Sequence, residues 1–90
     1  MALYAIDYDL RKPGQKYESL FNVLKKFPRW AHILESSWVV ESPMTTAQVR
    51  DHLLPHVDSN DKIVVKKLTG DAAWYGLESD VSDWLLKARV

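Results

Sequence analysis

Cysteine is absent from these 90 residues, which excludes disulfides, thiolate metal sites and thiol nucleophiles. Glycine and proline are scarce, at three and four, and no segment has the composition of a linker or disordered tail. No apolar run approaches the ~18–20 residues of a membrane span. The opening Met-Ala-Leu-Tyr-Ala-Ile-Asp lacks the basic stretch of a signal peptide. Net charge is also lacking, since twelve Lys and Arg balance twelve Asp and Glu. A neutral chain is poorly suited to coating nucleic acid without specificity. The expectation is one soluble, cytoplasmic domain with no membrane partner.

Apolar residues make up 47% of the chain, and there are four tryptophans. A chain this short buries only about 60–65% of its unfolded surface. Large apolar groups on a marginal core point to a homodimer, since two-fold association is the commonest way to gain burial. Trp30, Trp38, Trp74 and Trp84 are therefore read first as core or dimer-seam residues, and second as base-stacking ones. Charge is uneven despite the balance. Arg11, Lys12, Lys16, Lys25, Lys26 and Arg29 face only one acid, Glu18, between positions 11 and 29. That stretch is either a solvated face or a surface for an anionic ligand.

Residues 2–10 are apolar and aromatic on both alternating faces, as in a strand inside a sheet. Arg11-Lys12-Pro13-Gly14 is turn chemistry. Tyr17, Leu20, Phe21, Leu24 and Phe27 recur at helical spacing and predict a helix over 15–27, stopped by Pro28. Residues 30–35 and 37–41 predict two short strands joined by a tight reversal, with one bent strand as the alternative. Thr45-Thr46-Ala47-Gln48 is a capping box opening a helix that ends near Pro55. A strand over 62–68 and a helix over 80–89 complete the order. The prediction is an α+β, ferredoxin-like βαββαβ fold with two helices on one face of an antiparallel sheet, plus a C-terminal helix.

Asp7 and Asp9 are the most informative residues. Side chains two apart in a strand project from the same face. Two carboxylates at the end of a central strand can bind Mg²⁺, which favours one or two protein oxygens alongside phosphate and water. The alternative has Asp9 capping the Arg11–Pro13 turn and Asp7 paired with a base. His52 and His56 are four apart, but Pro55 lies between them, so they read as surface histidines. His32 reads as a core or interface residue, with a catalytic or phosphate contact as the second reading. Ser36 and Ser37 read as turn or bulge residues whose hydroxyls can reach phosphate. Thr69-Gly70-Asp71-Ala72-Ala73 lacks the glycine pattern and lysine of a phosphate-binding loop.

Beyond these readings, the ending Tyr8-Asp9-Leu10 of the first strand resembles the start of the small CRISPR-associated adaptation nucleases, the Cas-two-like family. The Trp30–Val40 segment around Ser36-Ser37 and the Asn60–Leu68 strand are similar to that family's middle and fourth strands. The chain is closest in character to the SinR-like members, and VapD-like ribonucleases share the fold. The resemblance covers residues 1–68 and leaves 69–90 as an extension. It implies a homodimer in which Asp9 of each copy holds a divalent metal, Mg²⁺, for cleavage of RNA or DNA, or a noncatalytic role holding nucleic acid. On that basis Asp9, Asp7, His32 and Ser37 are the candidate catalytic residues. Arg11, Lys12, Lys16 and Ser36 are the candidate nucleic-acid contacts. Three features depart from the pattern: no Arg-x-Gln precedes the central serine, the charge is neutral, and the C-terminal segment is helical. They argue against an integrase partner.

Overall fold

The computed structural model describes residues 1–11 and 17–90. Residues 12–14 of the predicted Arg11–Gly14 turn and residues 15–16 of the predicted helix, with Lys12 and Lys16, lie outside the described residues.

Strands β1 (Ala2–Asp9), β2 (Arg29–Leu34), β3 (Ser37–Ser42) and β4 (Lys62–Lys67) form one sheet in the order β2-β3-β1-β4. Every neighbouring pair is antiparallel. With α1 (Glu18–Leu24) between β1 and β2, and α2 (Thr46–Leu53) between β3 and β4, this arrangement is compatible with the predicted ferredoxin-like order. A one-turn 3₁₀ helix, Leu54–His56, follows α2, and α3 (Ser79–Ala88) closes the chain. Among the described residues, no helix is long and apolar enough to cross a membrane.

The first face of the sheet carries Tyr4, Ile6, Tyr8, Trp38 and Val40. They pack with Leu20, Val23 and Leu24 of α1, and Val49 and Leu53 of α2, into the main core. Hydrogen bonds make the three aromatic polar groups of this face tolerable, the Tyr4 hydroxyl donating to the Met44 carbonyl. The Trp38 indole N–H donates to the Tyr8 hydroxyl at 3.0 Å, and that hydroxyl donates to the Glu35 carbonyl at 3.2 Å.

The opposite face is built on Leu3, Val39 and Ile33. It is covered by Trp74, Leu77 and the Val81, Trp84, Leu85 and Ala88 stripe of α3, with Val90 buried beside them. The sheet is thus clothed on both sides, but the second cover is partial.

Several boundaries differ from the sequence prediction. Helix α1 begins at Glu18, with Tyr17 as its N-cap, and ends at Leu24 rather than 27. Lys26 N–H donates to the Val23 carbonyl and Phe27 N–H to that of Leu24, so the chain tightens into three-residue turns. Pro28 accounts for this, because a proline disfavours helical backbone in the residue before it. Two strands, not one bent strand, occupy 29–42. They are joined through Glu35-Ser36, with a register shift between His32 and Leu34. The capping box is present: Gln48 N–H donates to Thr45 Oγ1 at 3.2 Å, and Thr45 N–H to Gln48 Oε1 at 2.9 Å. Pro55 falls in the 3₁₀ turn that ends α2. Helix α3 closes on Arg89 in the left-handed conformation, φ 58°.

Candidate functional site

Strand β1 has neighbours on both sides, so its side chains alternate between the two covered faces. Tyr4, Ile6 and Tyr8 enter the main core. Leu3, Ala5, Asp7 and Asp9 therefore share the second face. Helix α3 covers the Leu3 end of this row and leaves the Asp7–Asp9 end open. Asp7 lies opposite Ser37 on one side and Val64 on the other, and Asp9 lies opposite Lys62. The two carboxylates project from one side of the strand end, as the alternation requires.

Each carboxylate already has partners. Ser37 Oγ donates to Asp7 Oδ1 at 2.5 Å, and Lys66 Nζ lies 3.6 Å from Asp7 Oδ2. Asp9 Oδ2 lies 2.6 Å from an Arg11 guanidinium nitrogen. Both acids are well exposed, with 41% of the Asp7 and 54% of the Asp9 side chain accessible. Water screens such pairs, and each holds its carboxylate only weakly.

Asp61 holds the described residues on either side of the predicted turn. Its Oδ1 accepts from Arg11 N–H at 2.7 Å and from the Tyr17 hydroxyl at 3.0 Å, while Oδ2 accepts from Asp58 N–H at 2.7 Å. One carboxylate thereby ties the end of β1 and the entry to α1 to the loop before β4.

The remaining candidates separate. His32 lies opposite Trp38 in the β2–β3 register and stacks on its ring at 4.1 Å between centroids and 12° between planes. It is therefore on the first face, away from Asp7 and Asp9. His32 Nε2 lies 3.1 Å from the Glu35 carbonyl. Ser36 is exposed in the hairpin turn, and its carbonyl accepts from Tyr8 N–H at 3.1 Å. The serine pair is thus divided: Ser37 joins Asp7, whereas Ser36 shapes the turn. His52 packs edge-on to Phe27, and His56 Nδ1 lies 3.1 Å from Ser19 Oγ, so each has a partner of its own. Arg11 is exposed beside Asp9.

Tyr8, between the two acids on β1, is buried on the opposite face. Burial pushes its hydroxyl pKa up, the hydrogen bond from Trp38 pulls it down, and the negative charge of Glu35 raises it further.

Lys62 and Lys66 are site residues that the sequence analysis did not single out. Their two-residue spacing with Val64 was the available signal, since it places all three on one face of an edge strand. Only pairing β4 with β1 brings that row beside Asp7 and Asp9.

Among the described residues, no three His, Asp or Glu side chains converge as a metal cluster. Mg²⁺ needs less, because it keeps several waters and takes one or two carboxylates. Asp9, exposed and held by one screened pair, fits such a ligand. Asp7, engaged by Ser37 and Lys66, fits a neighbouring position. No family model matches this chain, and no solved structure matches it at a significant level.

Proposed function

We propose that the protein binds nucleic-acid phosphodiesters as a homodimer and cleaves them with Mg²⁺ held at Asp9, in the manner of the Cas-two-like nucleases that the sequence resembles. One observation carries this reading. The central strand ends in two carboxylates on the half of the sheet face that α3 leaves open, with Arg11, Lys62 and Lys66 around them.

Arg11 is exposed, so its guanidinium can exchange Asp9 for a phosphate oxygen, which it can meet with two parallel N–H donors. Lys62 and Lys66 add positive charge along the same face, while Ser37 fixes the Asp7 carboxylate. Asp7 is placed to accept a proton from an attacking water. Bound Mg²⁺ would supply an activated water and neutralise charge on the phosphoryl oxygens. Lys12, Lys16 and Ser36 remain proposed backbone contacts, and His32 has no role on this face. A second copy laid over the open half would also cover Leu34 and Val64, now 58% and 52% exposed.

A noncatalytic role, holding nucleic acid or a protein partner, is the second reading. It is favoured by the ion pairs that already occupy both carboxylates. Cleavage of labelled single-stranded RNA and duplex DNA, with Mg²⁺ or EDTA, separates the two. The nuclease reading expects Mg²⁺-dependent cleavage that Asp9→Ala abolishes while the fold is retained. Binding without cleavage, unchanged in Asp9→Ala, would replace it with the holding role.

A further inference from the structure

Strand β2 is an edge of the sheet, so alternate peptide groups along it face outward without a strand partner. A cavity of about 300 Å³ straddles this edge, lined by Trp30, Ala31, His32, Asp80, Val81 and Trp84. Its walls come from both sides of the sheet. Trp30 and His32 project on the first face, opposite Val40 and Trp38, while Trp84 belongs to the α3 cluster on the second.

The composition of this cavity is unusual for a small protein's surface. Trp30 remains 36% exposed, although burying an indole is among the largest gains open to a short chain. Each indole has a cation at its ring: Lys25 Nζ lies 5.8 Å from the Trp30 centroid, and the Arg29 guanidinium lies 5.3 Å from that of Trp84. His32 is exposed and extends the Trp38 stack outward.

We infer that this cavity is a subsite for a single unpaired nucleobase. Flat aromatic faces flanked by cations are what single-stranded nucleic acid requires, because bases stack on the rings and the cations meet the adjoining phosphates. Lys25 and Arg29 belong to the basic stretch between positions 11 and 29, which gives that stretch a ligand. The outward peptide groups of β2 offer donors and acceptors to the edge of a base. Asp80 accepts from Val81 N–H through Oδ1, and its carboxylate retains acceptor capacity for an exocyclic amino group. The proposal rests on the nucleic-acid reading above and adds to it a place where an unpaired strand is held, on the sheet edge away from Asp9.

The test is titration of the full chain with an eight-residue oligo(dC), followed by tryptophan fluorescence and by the indole N–H resonances. Shifts are expected at the Trp30 and Trp84 indoles and not at buried Trp38. Trp30→Ala is expected to weaken oligo(dC) binding about fivefold or more, since one lost base stack costs about that much at its lower limit. Trp30→Phe should recover part of it, and duplex DNA binding should be unchanged. The indole shifts of the unaltered protein give the answer even where a variant folds poorly. An unchanged affinity in folded Trp30→Ala would overturn the proposal, as would equal perturbation by tripolyphosphate, which has charge without bases. Perturbation by an extended peptide and not by oligo(dC) would instead assign the edge to strand addition. If duplex binds and oligo(dC) does not, this subsite fails while the nucleic-acid reading it rests on stands. If neither binds, both fail.

Discussion

The two faces of the sheet were built by different rules. Under α1 and α2, the residues Ile6, Leu20, Leu24, Val40, Val49 and Leu53 are fully buried, and the polar groups of the core aromatics Tyr4, Tyr8, Tyr17 and Trp38 are all hydrogen-bonded. Under α3, the buried residues among those described are Ala31, Val39, Leu85 and Val90, none of them wholly inaccessible, and the apolar cover stops before the end of β1. Asp7, Asp9, Lys62 and Lys66 stand where it stops. The contrast separates the face that carries most of the packing from the face for which a function is proposed. The first face holds the fold, while the open half of the second can carry charge because it contributes little to the core.

The sharpest way to break this contrast is to delete equal volumes from each side. Leu20→Ala, in the dry core, is expected to cost about 3–4 kcal/mol, and Leu85→Ala, under the partial cover, about 2 kcal/mol. Urea denaturation followed by tryptophan fluorescence measures both. Equal costs would mean that α3 is as integral as α1 and α2.

A smaller effect comes from the polar pair inside the first face. Tyr8→Phe leaves the buried Trp38 N–H without its acceptor and should cost about 1–2 kcal/mol at neutral pH. The Tyr8 hydroxyl has its pKa raised by burial, so folding favours the protonated form. The stabilisation is present below the ordinary tyrosine value of about 10 and is lost as pH rises through the raised folded value. The gap between the parent protein and Tyr8→Phe should therefore narrow above about pH 10, as read from urea midpoints across pH 8–11. A gap independent of pH would show that Tyr8 does not titrate against folding.

Much of the fold was legible in the sequence because its cues were local. The capping box at Thr45–Gln48, the stop at Pro28 and the alternation of β1 each need only a few neighbouring residues. The open end of the second face needed more. That Asp7 and Asp9 share a side follows from two-residue spacing. That Lys66 and Ser37 flank Asp7 follows only from the order in which β3 and β4 join β1. Asp61 was invisible as a cap because its partners Arg11 and Tyr17 are more than forty positions away. His32 joins the acids as a candidate only through the family resemblance, and the stack on Trp38 puts it on the other face. The amphipathic stripe of α3 was readable, whereas the face it covers was not. A stripe shows that a helix packs, without showing on which side of a sheet.

The smallest stability effect is expected at Asp9, where the proposed nuclease reading expects the largest loss of activity. Asp9→Ala removes an exposed ion pair and should change folding stability by less than about 1 kcal/mol, which makes it a clean probe of the open face. The most direct measurement is titration of the protein with Mn²⁺ in place of Mg²⁺, followed by paramagnetic broadening of the backbone amides. The account predicts broadening centred on Asp9 and reaching Asp7, and its loss in Asp9→Ala. Broadening centred on the Asp58–Asp61 loop, or none at millimolar Mn²⁺, would contradict it.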